Sequence, residues 1–562
     1  MRMADLKPPG ELAGRSPIRL HLVFGAPVGA WLPPLYPFLV AAFPVLTLLS
    51  QNVQEAPLGY AMRSLVLALA GCALVFLSLR IRLKDRGKAA VLTALLLVLF
   101  FSYGHLYNTL KTAAIGGVLI GRHRYLVPIY LLVLLAGISL VVRSRGLNRE
   151  TTRVLTLVSA ALLVMPLVTI ARYTYQLQVV WARSSLAPLS VQASGASTAG
   201  APRPDIYYII LDGYGRFDVM SREFGFDPSE FQAFLEDRGF YVADGSRANH
   251  NWTSLSLGSS LNMDYAQNLG LRLVKGDYPG VFIEPIRHSR VRRKLEALGY
   301  SIIGMRSGYP PTELLDADQF LSPDPGAVDL LSGEIRLNAF ESQLVYSTAL
   351  KVLLDFAPGG AVPHVGFRTD YPYSLLREII LAEFRYLKEA PGIPGPKFVF
   401  AHIVAPHPPY LFGPSGEALE QEGPFTLGDL TDSPVAADSA RYRDQATYVT
   451  ARIEEVIDAI LEGSSAPPII IVQSDHGPPV GIGLSPDGVR LPERFANLNL
   501  YFFPYGCRDQ LYPTITPVNS FRVLFNCYFG EDLPLLEDHS YYSLWPRLVD
   551  YEFTLMDDEL DP

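Results

Sequence analysis

The chain is poor in cysteine, and this excludes several classes of protein. Only three cysteines occur in 562 residues, which is too few for a disulfide framework, and no CxxC pair or Cys/His cluster has zinc-finger spacing. Cys72 lies in an apolar run and is predicted to be a small core residue. Cys507 and Cys527 lie in the less apolar part of the chain, and the sequence leaves open whether they pair, as they could in an oxidising compartment.

Acidic residues are scarce in the first third, and basic residues are outnumbered in the rest. Up to Tyr175 the chain carries 18 Lys and Arg against 5 Asp and Glu, whereas the remainder carries 29 against 50. This contrast indicates a membrane part followed by a globular part. A domain this acidic, with no basic stripe, is a poor nucleic-acid binder, so no nucleic-acid partner is expected.

Five long apolar runs occupy the first third of the chain. A helix needs about 20 residues to cross the hydrocarbon core of a membrane. Slightly shorter runs also span it when flanking Arg or Lys side chains extend to the interface. We therefore predict an anchor domain over residues 1–175 with about five transmembrane helices. No small-residue cleavage site follows a short apolar stretch, so the first run is interpreted as an anchor rather than a signal peptide. The runs are residues 31–50, 64–79, 89–110, 125–142 and 154–171.

The orientation of this anchor is predicted from the basic residues in its short loops. The N-terminal segment and the second and fourth loops are rich in Lys and Arg, and the loops between them are poorer. Positive charge is retained on the cytoplasmic side during insertion, so an odd number of spans places the rest of the chain outside. We expect a multi-pass protein of the inner (cytoplasmic) membrane with an extracytoplasmic, periplasmic catalytic domain.

A linker and an α/β domain are predicted after the anchor. Residues 176–204 end in a stretch rich in Ser, Ala, Gly and Pro, which is typical of a tether. Over residues 205–562, short β-rich apolar runs alternate with amphipathic helical patterns. This predicts an αβα sandwich with a mostly parallel sheet, which binds ligands beyond the carboxyl ends of its strands. The β-rich runs start at Ile206, Ser301, Phe398, Ile469 and Leu498.

Two of these runs end in acidic groups followed by glycine. Asp212 follows the first run in LDGYGR, and Asp475 with His476 follows the fourth in SDHG. Carboxylates and an imidazole at strand ends can bind a divalent cation, and the glycines allow sharp turns beside it. Acidic residues next to glycine are also common in ordinary turns. A turn without a metal site is, however, a weaker explanation when two such motifs occur in one domain.

The pair LDGYGR and SDHG resembles the alkaline phosphatase superfamily, which includes sulfatases, nucleotide pyrophosphatases, lipoteichoic acid synthases and lipid A phosphoethanolamine transferases. In that superfamily the first acid and the late Asp-His pair hold a metal, and a Ser, Thr or modified Cys about 40 residues after the first acid is the nucleophile. The resemblance thus implies one divalent ion, Mn or Zn, held by Asp212, Thr253, Asp475 and His476.

The same resemblance implies that Thr253 is the nucleophile. Its hydroxyl is expected at the start of a helix, where a cation and the helix N-terminus would both stabilise the alkoxide. Ser254 and Ser256 remain competing hydroxyls, and an ordinary helix N-cap remains an alternative.

The segment FAHIVAPHPPYLF adds predicted substrate-binding residues, His402, His407 and Tyr410. It is similar to a segment that faces the substrate in the transferase branch, so His407 is interpreted as a phosphate-oxygen donor or a general acid for the leaving group. His402 could instead be an ordinary strand histidine. Arg494 is a weaker candidate for anion contact, and His539 lies in a segment that does not match a second metal site, which favours one metal.

The resemblance and the anchor together imply a metal-dependent phosphoryl-alcohol (phospholipid head group) transferase acting on a cell-envelope glycan or lipid. The expected partner is a lipid or lipid-linked substrate, and the oligomeric state is not indicated. The globular part has no cysteine before Cys507, which argues against a formylglycine sulfatase. A membrane-anchored phosphodiesterase or sulfatase-type ester hydrolase, and a catalytically inactive binding module of the same fold, remain open.

Overall fold

The structure is a computed structural model, and the part of the chain that it describes is interrupted by gaps. The described residues are 34–53, 58–115, 118–144, 149–183, 203–271, 282–323, 335–356, 367–368, 371–421, 435–478, 491–543 and 552–560.

Five apolar helices form the first part of the described chain, as the sequence predicted. Four of them are long and apolar enough to cross a membrane, and the first has 16 residues. The start of the first predicted run, residues 31–33, lies outside the described residues, as does the Ser/Gly-rich stretch 184–202. The last helix continues beyond Tyr175, so the first residues of the predicted linker are helical. The helices are α1 Tyr36–Gln51, α2 Leu58–Leu83, α3 Arg86–Leu110, α4 His123–Arg143 and α5 Arg149–Arg183.

The second part is an α/β domain built on a seven-stranded sheet. Its order is β4–β11–β10–β3–β9–β5–β6, in which the last five strands run parallel and β11 is antiparallel to both of its neighbours. This confirms the predicted mostly parallel sheet. The strands are β3 Ile206–Leu211, β4 Tyr241–Val242, β5 Ser301–Met305, β6 Gln319–Leu321, β9 Lys397–Ile403, β10 Ile469–Gln473 and β11 Asn499–Phe502.

Short strand pairs lie outside this sheet. One pair forms a small ribbon between α3 and α4, and another joins two parts of the C-terminal segment. These pairs are β1 Ala114–Ile115 with β2 Val118–Leu119, β7 Ile335–Arg336 with β8 Phe367–Arg368, and β12 Tyr541–Tyr542 with β13 Thr554–Leu555.

Helices cover both faces of the sheet because the central strands are apolar on both sides. All six residues of β3 are buried. Tyr207 and Ile209 belong to one core cluster and Tyr208 and Ile210 to the other, as expected when successive side chains point to opposite faces. The α-helices described after β3, of which α11 and α12 lie against the membrane helices, are α6 Phe217–Phe224, α7 Ser229–Asp237, α8 Thr253–Ser260, α9 Ile283–Arg287, α10 Arg290–Ala297, α11 Ala339–Ser347, α12 Leu350–Phe356, α13 Tyr371–Glu389, α14 Val435–Gly463, α15 Leu491–Phe495, α16 Pro517–Phe529 and α17 Asp557–Leu560.

The cysteines take two different roles. Cys507 and Cys527 form a disulfide that ties the turn after β11 to α16, which settles the pairing that the sequence left open. Cys72 is a buried free thiol within α2, as predicted.

Candidate active site

Three neighbouring strands bring the predicted motifs together. β10, β3 and β9 are adjacent and parallel, so their carboxyl ends meet at one edge of the sheet. Asp212 directly follows β3, Asp475 and His476 lie just after β10, and His402 is the residue before the last of β9. Residues far apart in the sequence therefore converge because of the strand order.

Asp212, His402 and Asp475 form a buried cluster in which the possible ligand atoms all lie within 4.8 Å of one another. Nε2 of His402 is 3.3 Å from Oδ2 of Asp212. Nε2 of His476 is 3.2 Å from Oδ2 of Asp475 and 3.7 Å from Oδ1 of Asp212. Two donor atoms bound to one tetrahedral ion at about 2.1 Å lie roughly 3.4 Å apart, so these separations fit a single divalent cation.

Several atoms of this cluster are buried without a hydrogen bond. In the described part of the chain, Oδ1 of Asp212, Nε2 of His402 and Oδ2 of Asp475 have no hydrogen-bond partner. A buried polar atom left unsatisfied is costly, and most such atoms in native proteins are paired. A cation bound by these three residues would satisfy all three atoms at once.

The imidazoles of His402 and the neighbouring His476 both turn Nε2 toward the carboxylates, and their Nδ1 atoms have other hydrogen-bond partners. Nδ1 of His476 lies 2.9 Å from the Gly477 carbonyl oxygen, which can only accept. Nδ1 of His402 lies 2.9 Å from Oγ1 of Thr312, a hydroxyl that donates to the Tyr309 carbonyl at 3.0 Å. The carbonyl contact assigns the proton of His476 to Nδ1 and leaves its Nε2 lone pair for a metal, and the Thr312 contact of His402 is compatible with the same arrangement, which is typical of histidine ligands.

Thr253 is the first residue of α8, as predicted for the nucleophile. Its Oγ1 is 3.3 Å from Nε2 of His476, so the hydroxyl borders the cluster. Of the competing hydroxyls, that of Ser256 donates to the His250 carbonyl at 2.9 Å and that of Ser254 lies 3.1 Å from the Tyr309 hydroxyl. Both serines are buried, whereas Thr253 is partly exposed. Among the three, the geometry therefore favours Thr253.

The charge of Asp212 is stabilised by its neighbours. Burial raises the pKa of this carboxyl, but the imidazoles of His407, His402 and His476 together lower it by more. The net effect is a pKa well below the ordinary value, so Asp212 is a carboxylate throughout the neutral range.

His407 and Tyr410 occupy different surroundings. The backbone N–H of His407 donates to the Asp212 carbonyl at 3.0 Å, and its Nδ1 lies 2.5 Å from the Pro408 carbonyl. Tyr410 is buried in the core, with its ring centroid 6.4 Å from that of Tyr442. The structure thus places His407 beside the cluster and Tyr410 in the packing behind it.

Arg494 connects the turn before Thr253 to the turn after Asp475. Its Nε donates to the Asn251 carbonyl at 3.0 Å, and its guanidinium lies 5.4 Å from the Trp252 ring centroid. Its own carbonyl accepts from the Gly477 N–H at 2.7 Å. Arg494 is 1% exposed, so in this structure it braces two loops of the site.

A C-terminal clamp, defined as residues 539–543, holds the segment before Thr253, and the sequence did not reveal it. Nδ2 of Asn249 donates to the His539 carbonyl at 2.9 Å. The side chain of Asn251 exchanges two hydrogen bonds of 3.0 Å with the backbone of Ser543. Trp252 also donates to the Ser543 carbonyl, at 2.8 Å. The two asparagines of the Asn-His-Asn segment 249–251 were the signal in the sequence for such contacts, since buried Asn side chains commonly form hydrogen bonds with backbone groups.

No protein-family model matches the chain, and no curated protein matches it by sequence. Similar solved structures include the integral membrane protein lipooligosaccharide phosphoethanolamine transferase A from Neisseria meningitidis, at 14% identity over 87% of this chain and 92% of that chain, with a TM-score of 0.37. The C-terminal periplasmic domain of EcEptC from Escherichia coli in complex with Zn is 11% identical over 64% of this chain and 94% of that chain, with a TM-score of 0.40. Ps i-CgsB in complex with k-i-k-neocarrahexaose is 14% identical over 59% of this chain and 73% of that chain, with a TM-score of 0.35.

Proposed function

We propose that the protein is a metal-dependent enzyme that transfers a phosphoryl-alcohol group from a phospholipid to a cell-envelope glycan or lipid, with Thr253 as nucleophile. The observation that carries this proposal is the buried cluster at the carboxyl ends of β3, β9 and β10, which has unsatisfied donor atoms and a helix-start hydroxyl beside it. The proposed ligands are Asp212, His402, Asp475 and His476, with Thr253 adjoining them.

This ligand set gives His402 a role different from the one suggested by the sequence, which placed it with the substrate. His402 lies within ligand distance of Asp212, and its Nε2 lone pair is directed by the bond from Nδ1 to Thr312. Two carboxylates and two imidazoles suit zinc, and manganese is also compatible with oxygen and nitrogen ligands.

The chemistry follows from the positions of the side chains. A divalent cation supplies positive charge that lowers the pKa of a neighbouring alcohol and polarises a phosphoryl oxygen. Thr253 lies at the N-terminus of α8, whose dipole also favours the alkoxide. In the first step the Thr253 alkoxide attacks phosphorus through Oγ1, a phosphodiester between Thr253 and the transferred alcohol forms, and the bond between phosphorus and the lipid oxygen breaks.

His407 is the proposed general acid in that first step. Its Nδ1 is bonded to the Pro408 carbonyl, which leaves Nε2 to carry the transferable proton to the leaving alcohol. In the second step a hydroxyl of the acceptor attacks the phosphorus, gives its proton to His407, and the bond between phosphorus and Oγ1 breaks, which regenerates the Thr253 alkoxide.

Two features support a lipid donor on the outer side of the membrane. Residues of the α/β domain contact the apolar helices directly, with Arg63 of α2 paired to Glu341 of α11. The Cys507–Cys527 disulfide suits an oxidising compartment, in agreement with the orientation expected from the basic loops.

The test is an intact-mass measurement of the full-length protein in detergent after incubation with a phospholipid extract and Zn²⁺ or Mn²⁺. We expect a covalent phosphoryl-alcohol adduct on Thr253, and the added mass identifies the transferred group. Thr253→Ala should abolish the adduct, whereas Thr447→Ala, which removes an exposed hydroxyl of α14, should leave it unchanged.

Further variants and assays separate the remaining alternatives. An adduct on Ser254 would show that the neighbouring hydroxyl is the nucleophile, and Ser254→Ala tests this directly. Steady release of phosphate or sulfate from nitrophenyl esters, with no acceptor present, would favour a hydrolase. Absence of both adduct and turnover in a metal-loaded protein would favour a binding module and contradict the proposal.

A further inference from the structure

The segment Ala339 to Phe356 of the α/β part lies against the membrane helices. The backbone N–H of Ala349 donates to the Phe100 carbonyl of α3 at 2.8 Å, and Nδ2 of Asn338 donates to the Tyr60 carbonyl of α2 at 3.1 Å. Gly104 of α3 lies so close to this segment that a Cβ there would be 2.4 Å from the Ser347 carbonyl carbon. The helix pair α11–α12 is therefore seated at one end of the membrane helices.

The polar side chains of α12 are turned toward the membrane helices. Nε2 of His123, the first residue of α4, is 2.8 Å from Oδ2 of Asp355, and Nζ of Lys351 donates to Oδ1 of the same carboxylate at 3.0 Å. Nδ1 of His123 is 2.7 Å from the Tyr103 hydroxyl, and its ring stacks on Tyr107 at 4.1 Å between centroids. Lys351 and His123 are thereby buried between α12 and the helix ends, and the Asp355 carboxylate that joins them lies at the edge of this contact.

Two apolar side chains of α12 are exposed. Leu353 is 54% exposed and Phe356 is 73% exposed. On the membrane helices, Leu106 near the end of α3 and Tyr125 in the first turn of α4 are exposed as well. A helix that buries its lysine and exposes Leu353 and Phe356 beside membrane-length helices is suited to a lipid environment.

Basic residues border this apolar surface. Lys111, Arg122 and Arg124 lie in the connection between α3 and α4 and at the start of α4, and all three are exposed. Within the described residues, none of them forms an ion pair with a carboxylate. Arg122 and Arg124 flank His123, whose ring centroid is 5.8 Å from that of Phe356. Cationic and apolar side chains therefore share one surface.

The position of these basic residues is unexpected for membrane insertion. The orientation predicted from the loops places this connection on the outer side, where insertion disfavours Lys and Arg. Three exposed cations beside an apolar surface, at the level where head groups begin, are complementary to lipid phosphates.

We propose that this α12 surface, made of Leu353, Phe356, Lys111, Arg122 and Arg124, binds an anionic phospholipid of the adjacent leaflet. The acyl chains lie against Leu353 and Phe356, and the head-group phosphate is bound by the basic side chains. The bound lipid and the α11–α12 contacts together hold the α/β domain at a fixed height above the bilayer. This site is separate from the Thr253 cluster and does not depend on the proposed reaction.

The experiment uses the full-length protein in detergent with Cys72→Ser, because Cys507 and Cys527 are joined in a disulfide and do not react with a thiol label. Phe356→Cys carries a bimane label, and phosphatidylglycerol or phosphatidylcholine with a spin label on the acyl chain is titrated in. We expect phosphatidylglycerol to quench the label at a concentration at least about fivefold lower than phosphatidylcholine does. A fivefold difference in affinity corresponds to the contribution of one basic side chain that contacts an anionic lipid.

Matched variants separate a specific site from general lipid contact. Replacing Lys111, Arg122 and Arg124 by Gln should abolish the preference for phosphatidylglycerol. Arg385→Gln should preserve it, because Arg385 is likewise exposed and stacked on its own neighbouring tyrosine, but belongs to α13. A label at Leu535, which is 47% exposed in the C-terminal part, should not be quenched.

Three results would overturn the proposal. One is equal quenching of labels at positions 356 and 535, and another is equal quenching by the two lipids. The third is displacement of phosphatidylglycerol by millimolar inorganic phosphate, which would show a site for a free anion instead of a lipid. A label at Leu353→Cys repeats the measurement if the label at position 356 disturbs the surface.

Discussion

Among the described residues, the sheet edge and the C-terminal part each contain a cluster in which histidine meets carboxylates, and the hydrogen bonding of these clusters differs. At the sheet edge, Asp212, His402 and Asp475 each leave a buried atom without a hydrogen-bond partner within the described chain. In the C-terminal part, Nδ1 of His539 lies 2.5 Å from Oδ2 of Asp557, and Nε2 lies 2.9 Å from Oε2 of Glu537.

This difference shows which feature indicates a metal site. The C-terminal cluster is satisfied by its own members, and Glu537 is largely exposed, with 85% of its side chain accessible. Judged by residue types alone, the two clusters would be equally good candidates for a metal site. At the sheet edge, buried ligand atoms without hydrogen-bond partners lie at distances that suit a shared metal ion, next to a hydroxyl at a helix start. These features support the metal proposal there.

The largest expected effect contrasts one Asp→Asn change in each cluster. Asp475→Asn removes a proposed ligand and should lower activity by at least about a thousandfold, as loss of a central catalytic group does. Asp557→Asn changes a carboxylate paired with His539 and should keep activity within about threefold of wild type. Adduct formation on Thr253 is the measurement, and equal losses in the two variants would remove the distinction between the clusters.

Metal removal should sharpen the same contrast. A cation present at a thousand times its Kd stabilises the folded state by about 4 kcal/mol, so chelation should lower the Tm of the wild type and of Asp557→Asn alike. Asp475→Asn should melt at the same temperature with and without chelator. Thermal melts of the detergent-solubilised protein provide the measurement. If the chelator effect were lost only in Asp557→Asn, the metal would be bound by the C-terminal cluster instead, which would contradict the proposal.

The C-terminal clamp is expected to contribute stability rather than chemistry. Asn249→Ala would leave the buried N–H of Val518 and the carbonyl of His539 without their partner, at a cost of about 3 kcal/mol. Asn268→Ala is the matched control, because that side chain is exposed and its hydrogen bond within the described residues is to Asp264, so a change below about 0.5 kcal/mol is expected. Denaturant unfolding compares the two, and equal stabilities would show that the clamp is not required for folding.

A smaller effect concerns pH and His250. Burial lowers the pKa of His250 from 6.5 to about 3, so the folded state keeps the ring neutral where the unfolded state would protonate it. Stability from this residue is therefore fully present above pH 6.5 and is lost as the pH falls toward 3, by at most about 1.4 kcal/mol per pH unit. His250→Phe, in a pocket lined by Tyr541 and Phe553, should flatten this dependence. Melts between pH 7 and 4 test it, and parallel profiles would contradict it.

Much of the fold could be predicted from the sequence because local patterns determine it. The membrane runs are long and apolar, and the β-rich runs at Ile206 and Ile469 are flanked by turn residues, so elements and their order follow from local physics. Asp212 and Asp475 were found for a similar reason, since acidic residues after buried strands of a parallel sheet meet at one edge.

Other features depend on tertiary contacts that no local pattern encodes. From the sequence alone, His402 is indistinguishable from an ordinary strand histidine. It lies beside Asp212 because β9 is adjacent to β3 in the sheet. The contacts of Asn249 and Asn251 with the C-terminal clamp span most of the α/β domain, and the Cys507–Cys527 pairing required knowing that α16 returns to the turn after β11. Such long-range pairings become visible only when the strand order is known.

The most direct test of the metal proposal is anomalous diffraction from crystals of the full-length protein soaked in Zn²⁺ or Mn²⁺. The account predicts one strong peak enclosed by Asp212, His402, Asp475 and His476, with Oγ1 of Thr253 facing it. A peak between His539, Asp557 and Glu537 with none at the sheet edge would contradict it.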